Sequence, residues 1–273
     1  ITISQKNDKT EISVNVDLKL NFKYKLFKSI LLKKLDSVNS TIFNRLENLG
    51  ILLSNKKNPI VFENNYDTLV LSKPNKMYFD GWWLGDIYSS FIDDAYQHIN
   101  FEDKIVVDIG GTIGDSAIGF ITKGAKKIIS LEPFPINYDY GKSNILKNNM
   151  LNQIEFLNAG CGPNSSKITI DSTFSGVSNQ MTSSEHGIEI DQYSLSDLIE
   201  KFSISNCILK MDCEGCEYDV LLNTPDSILK KFSQIFIEYH SGSDILEEKL
   251  KHLDFKIFNS EIKKDKGYLS AKK

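Results

Sequence analysis

The chain has 273 residues, of which 41% are hydrophobic and 25% charged, so it can bury a substantial core without disulfides or a structural metal. That composition excludes a disordered chain, a collagen and a stapled mini-protein. A net charge of −4, with Arg45 the single arginine among 32 cationic residues, argues against a nucleic-acid partner. Such partners are held by neutralising many phosphates, and their bases are read by guanidinium forks that lysine cannot present.

No apolar run approaches the roughly 20 residues of a bilayer span, and no charged-then-apolar leader opens the chain. Four cysteines make no disulfide framework in a chain of this length. Reduced thiols and a cytoplasmic location are therefore the expectation.

Charge is unevenly divided. Residues 1–60 carry eleven Lys/Arg against five Asp/Glu, a net +6 that leaves −10 for the rest. Over residues 18–35 apolar side chains first alternate (Leu18, Leu20, Phe22, Tyr24) and then recur at helical spacing (Phe27, Ile30, Leu31, Leu35), interleaved with lysines. The pattern predicts a mainly helical extension over 1–75, with a linker at 55–59. Its apolar stripe either packs on the main domain or makes a peripheral membrane contact.

From residue 76 a second domain is expected to run to 273. Strand-length apolar runs alternate there with amphipathic stretches of helix length, which predicts an α/β fold. A helix is expected to end near residue 97. Residues 104–109 form a β-branched run without alternation, as in a parallel strand covered on both faces. A helix over 114–123, a strand over 127–131, a helix over 136–148 and a strand over 154–157 follow. Residues 167–170 and 188–190 suggest a hairpin around a Ser-rich loop at 172–184, either a lid or plain surface. Ser194 with Asp197 resembles a capping box for a helix over 195–202. Strands at 207–211 and 235–239, a helix at 244–253 and strands at 255–262 and 267–271 complete the chain. The closing hairpin predicts an antiparallel strand at the sheet edge.

The most informative motif is Asp108-Ile-Gly110-Gly111-Thr112-Ile-Gly114, between the first core strand and the first helix. Ligands of open α/β sheets bind at the carboxyl ends of the strands, where glycines let backbone approach them and a helix N-terminus offers free N–H groups. The dinucleotide fingerprint G-x-G-x-x-G fails in either register, which disfavours an NAD-dependent dehydrogenase. The Walker loop lacks its Gly-Lys-Ser/Thr. What fits is acidic-x-Gly-x-small-x-Gly, which resembles the cofactor loop of class I methyltransferases that use S-adenosylmethionine (SAM). Glu132 ends the next strand, where a carboxylate can accept both hydroxyls of a ribose.

VVDIGGTIGDSAIGF, SLEPFP, ILKMDCEGCEYDVL and IFIEYH together resemble the FkbM-type methyltransferase family over about residues 80–273. Gly111-Thr112 stands where that family commonly has Ala-Asn, and Cys213 and Cys216 replace aliphatic and small residues. The resemblance implies a Rossmann-like, seven-stranded, mostly parallel sheet with the last strand antiparallel. It also implies SAM as methyl donor and an oxygen acceptor on a sugar, polyketide or related small molecule or glycan. The cofactor residues are then Asp108, Gly110, Gly111, Thr112, Gly114 and Asp115 in the loop, Glu132 and Pro133 after the second strand, Ala159, and Asp212. A protein that binds SAM without transferring methyl remains the alternative.

Asp212, Glu214 and His240 are the catalytic candidates, with Glu217 and Glu238 beside them. Asp212 or His240 would serve as base or orient the hydroxyl. Glu214 and Glu217 would repel each other, hold a divalent ion with Asp212, or cap a helix; metal dependence is left open. Cys213 and Cys216, with no second C-x-x-C pair, read as small packing residues rather than a zinc or redox site. Trp82 and Trp83 either cover a pocket or staple the core.

Overall fold

The computed structural model describes residues 2–6, 9–13, 60–63, 68–72, 76–82, 84–91, 95–171, 187–260 and 265–273. It divides the chain into two units, Ile1–Val61 and Phe62–Lys273. In the first, β1 (Thr2–Lys6) and β2 (Lys9–Ser13) form an antiparallel hairpin, Thr2 opposite Ser13. Every element described within residues 1–75 is a strand, including β3 (Ile60–Glu63) and β4 (Thr68–Leu71). The helix expected over 18–35 and the linker at 55–59 lie outside the described residues.

The expected boundary at 75/76 moves, because a hairpin crosses it. All four residues of β4 are buried and pair antiparallel with β5 (Met77–Asp80). Helix α1 (Leu84–Phe91) follows, ending six residues before the expected position.

Ile105–Ile109 (β6) is buried at all but its first residue, as a strand covered on both faces should be. The glycine turn leads into α2 (Asp115–Thr122), then β7 (Lys127–Leu131) and α3 (Pro135–Lys147). Proline opens α3 at a position that has no helical N–H to lose. After β8 (Ile154–Leu157) come a short strand the sequence pattern did not show, β9 (Ala159–Cys161), and the hairpin β10 (Ser166–Ile170) and β11 (Ile188–Tyr193). Helix α4 (Leu195–Lys201) is capped as expected: Asp197 N–H donates to Ser194 Oγ at 3.1 Å. The remainder is β12 (Cys207–Met211), α5 (Cys216–Asn223), α6 (Asp226–Leu229), β13 (Phe232–Tyr239), α7 (Asp244–His252), β14 (Lys256–Ser260) and β15 (Gly267–Lys272).

The main sheet has seven strands in the order β14-β15-β13-β12-β6-β7-β8. The run from β13 to β8 is parallel, and β15 pairs antiparallel with both β13 and β14. The antiparallel strand therefore lies one place in from the edge: the closing hairpin folds back between β13 and β14, burying Leu269, Ser270 and Ala271. Chain order reverses between β6 and β12. Ligands of open α/β sheets bind in a crevice at such a switch point.

Side-chain amides fasten the entry segment to this frame. Asn144, fully buried in α3, accepts from Asp80 N–H at 2.7 Å and donates to the carbonyls of Asp80 and Ile113. Asn148 makes the same reciprocal pair with Tyr78. The β4–β5 hairpin thus hangs on the helix that also holds the end of the glycine turn.

Candidate active site

The turn after β6 is made by left-handed backbone. Gly110 and Gly114 have φ of +82° and +78°, and Thr112 sits at +44°. Gly110 and Gly111 N–H both donate to Leu131 O, and Gly114 N–H to Gly111 O at 2.7 Å. A Cβ on Gly110 would stand 1.8 Å from the Asp212 carbonyl oxygen, and one on Gly111 2.2 Å from Ser130 Oγ. The glycines are therefore required by the protein's own backbone and by β7, a reason sequence reading had assigned to the ligand. Gly114 meets nothing closer than 3.4 Å.

Glu132 is buried at the end of β7. Its Oε2 accepts from Thr112 N–H at 2.9 Å, and its Oε1 from Phe134 N–H at 2.9 Å and Asn137 Nδ2 at 3.4 Å. Three protein donors already occupy its two oxygens, which leaves less room for a ribose diol than an unengaged carboxylate would. Burial pushes its carboxyl up to about 8, against the pull of those donors. Pro133 is partly exposed beside it, and Asn158 Nδ2 donates to the carbonyls of both. Ala159 is 2% exposed and packs in the core, leaving only backbone to offer a ligand.

Asp108 does not open into the crevice. Its side chain is fully buried, with Oδ2 accepting from Ser116 Oγ and Ser130 Oγ and Oδ1 3.2 Å from the Lys210 ammonium. Lys210, itself 3% exposed, also donates to Gly110 O at 2.7 Å. Burial opposes its charge, but Asp108, Tyr96 and Asp212 together hold the ammonium well above its ordinary value. The pair braces the turn from below, so Asp108 is a positioning residue. Asp115, first in α2, is likewise buried, accepting from Ser90 Oγ at 2.9 Å, and is pushed up to about 6 by burial.

Across the switch point the residues after β12 and β13 converge. Asp212 N–H donates to Ile109 O, which joins the two loops. Asp212, Glu238 and His240 place one ligand-type atom each within 4.8 Å of one another. Glu217 is fully buried and accepts from Cys213 N–H and Gly215 N–H, both at 2.9 Å, so its role is to hold this loop. His240 has Nε2 3.1 Å from Glu214 and Nδ1 3.3 Å from Glu217, close enough for ion pairs but not aligned as hydrogen bonds.

Glu214 first, and then Glu217, push His240 up to about 10. At neutral pH it is an imidazolium with no lone pair to take a proton, which corrects the expectation of a histidine base. Glu238 is the better-matched group, raised to about 7 by burial and then by Asp212. Asp212 is also raised, chiefly by burial, although Lys210 pulls it down.

Three contributors went unassigned at the sequence level. Asp86 of α1 is raised well above its ordinary value by burial and by Asp115, Asp212 and Glu238, and its Oδ2 meets no hydrogen-bond donor among the described residues. Lys210 announces itself only as a charge within the apolar run CILKM. Glu238 was visible at a strand end without a role.

A further correction concerns Cys213 and Cys216, which are joined by a disulfide rather than packed as thiols. Glu214 and Gly215, at φ of +56° and +122°, fold the loop so that the two Cα atoms stand 5.5 Å apart, within bridging range. Cys161 and Cys207 are buried, free and pushed up to about 12 by burial. The side chain of Trp83 and the loop at 172–184 lie outside the described residues.

A mostly parallel sheet with a glycine turn, a strand-end acid and a second acidic loop at its switch point defines a Rossmann-like α/β protein. The model of the methyltransferase FkbM domain matches residues 108–269, more than half of the chain. The chain belongs to the FkbM methyltransferase family.

It is 29% identical over 170 residues to uncharacterized protein 158B of Sulfolobus islandicus rod-shaped virus 1, covering 62% of this chain and 82% of that one. The crystal structure of methyltransferase FkbM from Methylobacillus flagellatus KT is 19% identical with a TM-score of 0.48, over 68% of this chain and 47% of that one. The chain thus spans about half of that protein. M. capricolum TrmK, solved with S-adenosyl-homocysteine, is 11% identical with a TM-score of 0.44, over 70% and 69% of the two chains. Among the described residues no helix is long and apolar enough to cross a membrane.

Proposed function

We propose that the chain is a SAM-dependent O-methyltransferase whose acceptor is a hydroxyl of a small molecule or glycan. The observation that carries this reading is the joining of the glycine turn to Glu132 on one side of the switch point and to Asp212 on the other. The donor set suits SAM. Asp86, Asp212 and Glu238 are raised by burial first and then by neighbouring acids, and a sulfonium with an ammonium brings positive charge to such a place. Bound there, SAM supplies an electrophilic methyl group.

The chain's own residues do the rest. Glu132 is placed to accept a ribose hydroxyl, and the backbone from Gly110 to Gly114 gives the floor. On the acceptor side a hydroxyl must lie in line with the methyl–sulfur bond and lose its proton. Glu238 near 7 is suited to receive that proton, a contribution of about 10²- to 10⁴-fold. Asp212 and the imidazolium of His240, with Glu214 against it, orient the acceptor and balance charge. Positioning supplies much of the remaining rate.

Calorimetry with S-adenosylhomocysteine and a methyl-transfer assay on a hydroxyl library test the proposal. Saturable binding with transfer to oxygen, and a drop of about 10²-fold or more in kcat for Glu238→Gln, are expected. Binding without transfer to any hydroxyl would leave a SAM-binding protein that is not an O-methyltransferase. Absence of binding would remove the reading altogether.

A further inference from the structure

The crevice holds more acid than its cations answer. Asp86, Asp115, Asp212, Glu214, Glu217 and Glu238 lie in one another's fields, while Lys210, His240 and, at 3.8 Å from Glu214, the exposed Lys266 supply the opposing charge. Lys210 is moreover turned to Asp108 and the Gly110 carbonyl beneath the turn. The His240 nitrogens face Glu214 and Glu217 as ion pairs, and one further buried atom in this cluster lacks the partner its burial demands. The His240 side chain is 6% exposed, yet neither ring nitrogen makes an aligned hydrogen bond. Asp86 Oδ2 is buried without a donor, in the field of Asp212 and Glu238.

We propose that Asp212, Glu238 and His240 form a binding site for one divalent cation of the manganese and magnesium class, which His240 joins by giving up the proton on its ligating nitrogen, so that binding tightens as pH rises. Their ligand atoms lie within 4.8 Å of one another. Two metal–oxygen bonds of about 2.1–2.5 Å laid end to end span about 4–5 Å, so one ion reaches all three with little movement.

Glu217 stands 3.3 Å from Nδ1 and is itself pinned by two backbone N–H groups. That is the carboxylate-behind-histidine arrangement that orients a metal-bound imidazole. Two carboxylates with a single imidazole, and no available thiolate, favour manganese or magnesium over softer metals, because Cys213 and Cys216 are bonded to each other. The ion's binding is measurable without methyl transfer; with the ion bound, Glu238 is its ligand and no longer the free proton acceptor named above.

The full chain, dialysed against a chelator, is titrated with manganese chloride while free Mn²⁺ is followed by electron paramagnetic resonance. One ion per chain is expected, displaced by magnesium, with electron-spin-echo modulation from a directly bound imidazole nitrogen. Glu238→Gln and His240→Gln are each expected to weaken binding by at least the 10- to 100-fold that loss of an outer partner costs. Asp226→Asn, on α6, leaves it unchanged. Lack of saturable binding, or binding without nitrogen modulation, overturns the site in the unmodified protein whatever the variants do. Unchanged affinity in both folded variants overturns it equally. None of these results bears on whether methyl is transferred.

Discussion

Thr112 N–H donates to Glu132 Oε2 across 2.9 Å, tying the glycine turn of the first βα unit to the strand-end acid of the second. Two features that read as separate cofactor contacts in the sequence are thus one mechanical object. Glu132→Ala removes the acceptor for Thr112 and Phe134 N–H together. Leaving them unsatisfied is expected to cost about 1–3 kcal/mol each where water cannot reach, which appears as a fall in Tm of several degrees for a chain this size. Affinity for S-adenosylhomocysteine should fall more than tenfold in the same variant. A lower Tm with unchanged affinity would leave Glu132 as a brace alone.

The protonation of Glu132 sets a pH dependence whose sign follows from burial. Its carboxyl is raised from the usual 4.5 to about 8, so between those values the native state keeps a proton that the unfolded chain has released. Stability from this group is complete below about 4.5 and is lost as pH rises through 8. Glu238, at about 7, and Asp115, at about 6, add the same sign over narrower windows. Urea midpoints should therefore decline from pH 5 to pH 8.5, and the decline should be shallower in Glu132→Gln. An equal slope in the two proteins would mean that Glu132 does not hold its proton.

Two glycines of one turn should respond unlike each other to alanine. At Gly110 the added methyl would lie 1.8 Å from a backbone oxygen that cannot swing aside, whereas at Gly114 the nearest atoms are at 3.4 Å. Gly114→Ala then carries only left-handed strain, about 1–2 kcal/mol, and should fold with a modest shift in urea midpoint. Gly110→Ala must separate the loops after β6 and β12, and is expected to lose S-adenosylhomocysteine binding outright. Comparable losses in both variants would contradict the packing described around Gly110.

How far the fold could be read depended on how local its determinants are. The strands β6, β7 and β12 were legible because a strand buried on both faces is written as a mostly apolar run without alternation, and α4 because Ser194 and Asp197 sit at capping spacing. The disulfide was not, since Cys213 and Cys216 meet only through the left-handed backbone of Glu214 and Gly215. Nor was the place of β15, which is decided by pairing with β13 from a distant part of the chain.

The site shows the same division. The turn and Glu132 were found by spacing. By contrast Asp86 comes from α1, and its closeness to Asp212 and Glu238 is purely tertiary. His240 was found at its strand end, but which of its two expected roles it suits was not legible, because its two carboxylate neighbours lie 23 and 26 positions earlier in the chain.

The buried pair of Asp108 and Lys210 supports the site without touching a ligand, and its removal should be read as structure rather than chemistry. Lys210→Met leaves Asp108, with 0% side-chain exposure, to carry an unanswered charge, for which about 3–5 kcal/mol is expected. Asp108→Asn keeps an acceptor for Ser116 and Ser130 while releasing the charge, so adding it to Lys210→Met should restore part of the loss. Urea unfolding of the two single variants and the double variant measures this coupling. A double variant that is simply the sum of the singles would show that the 3.2 Å approach carries no energy of its own, and the turn would then rest on Glu132 and the Gly110 contact with Lys210 alone.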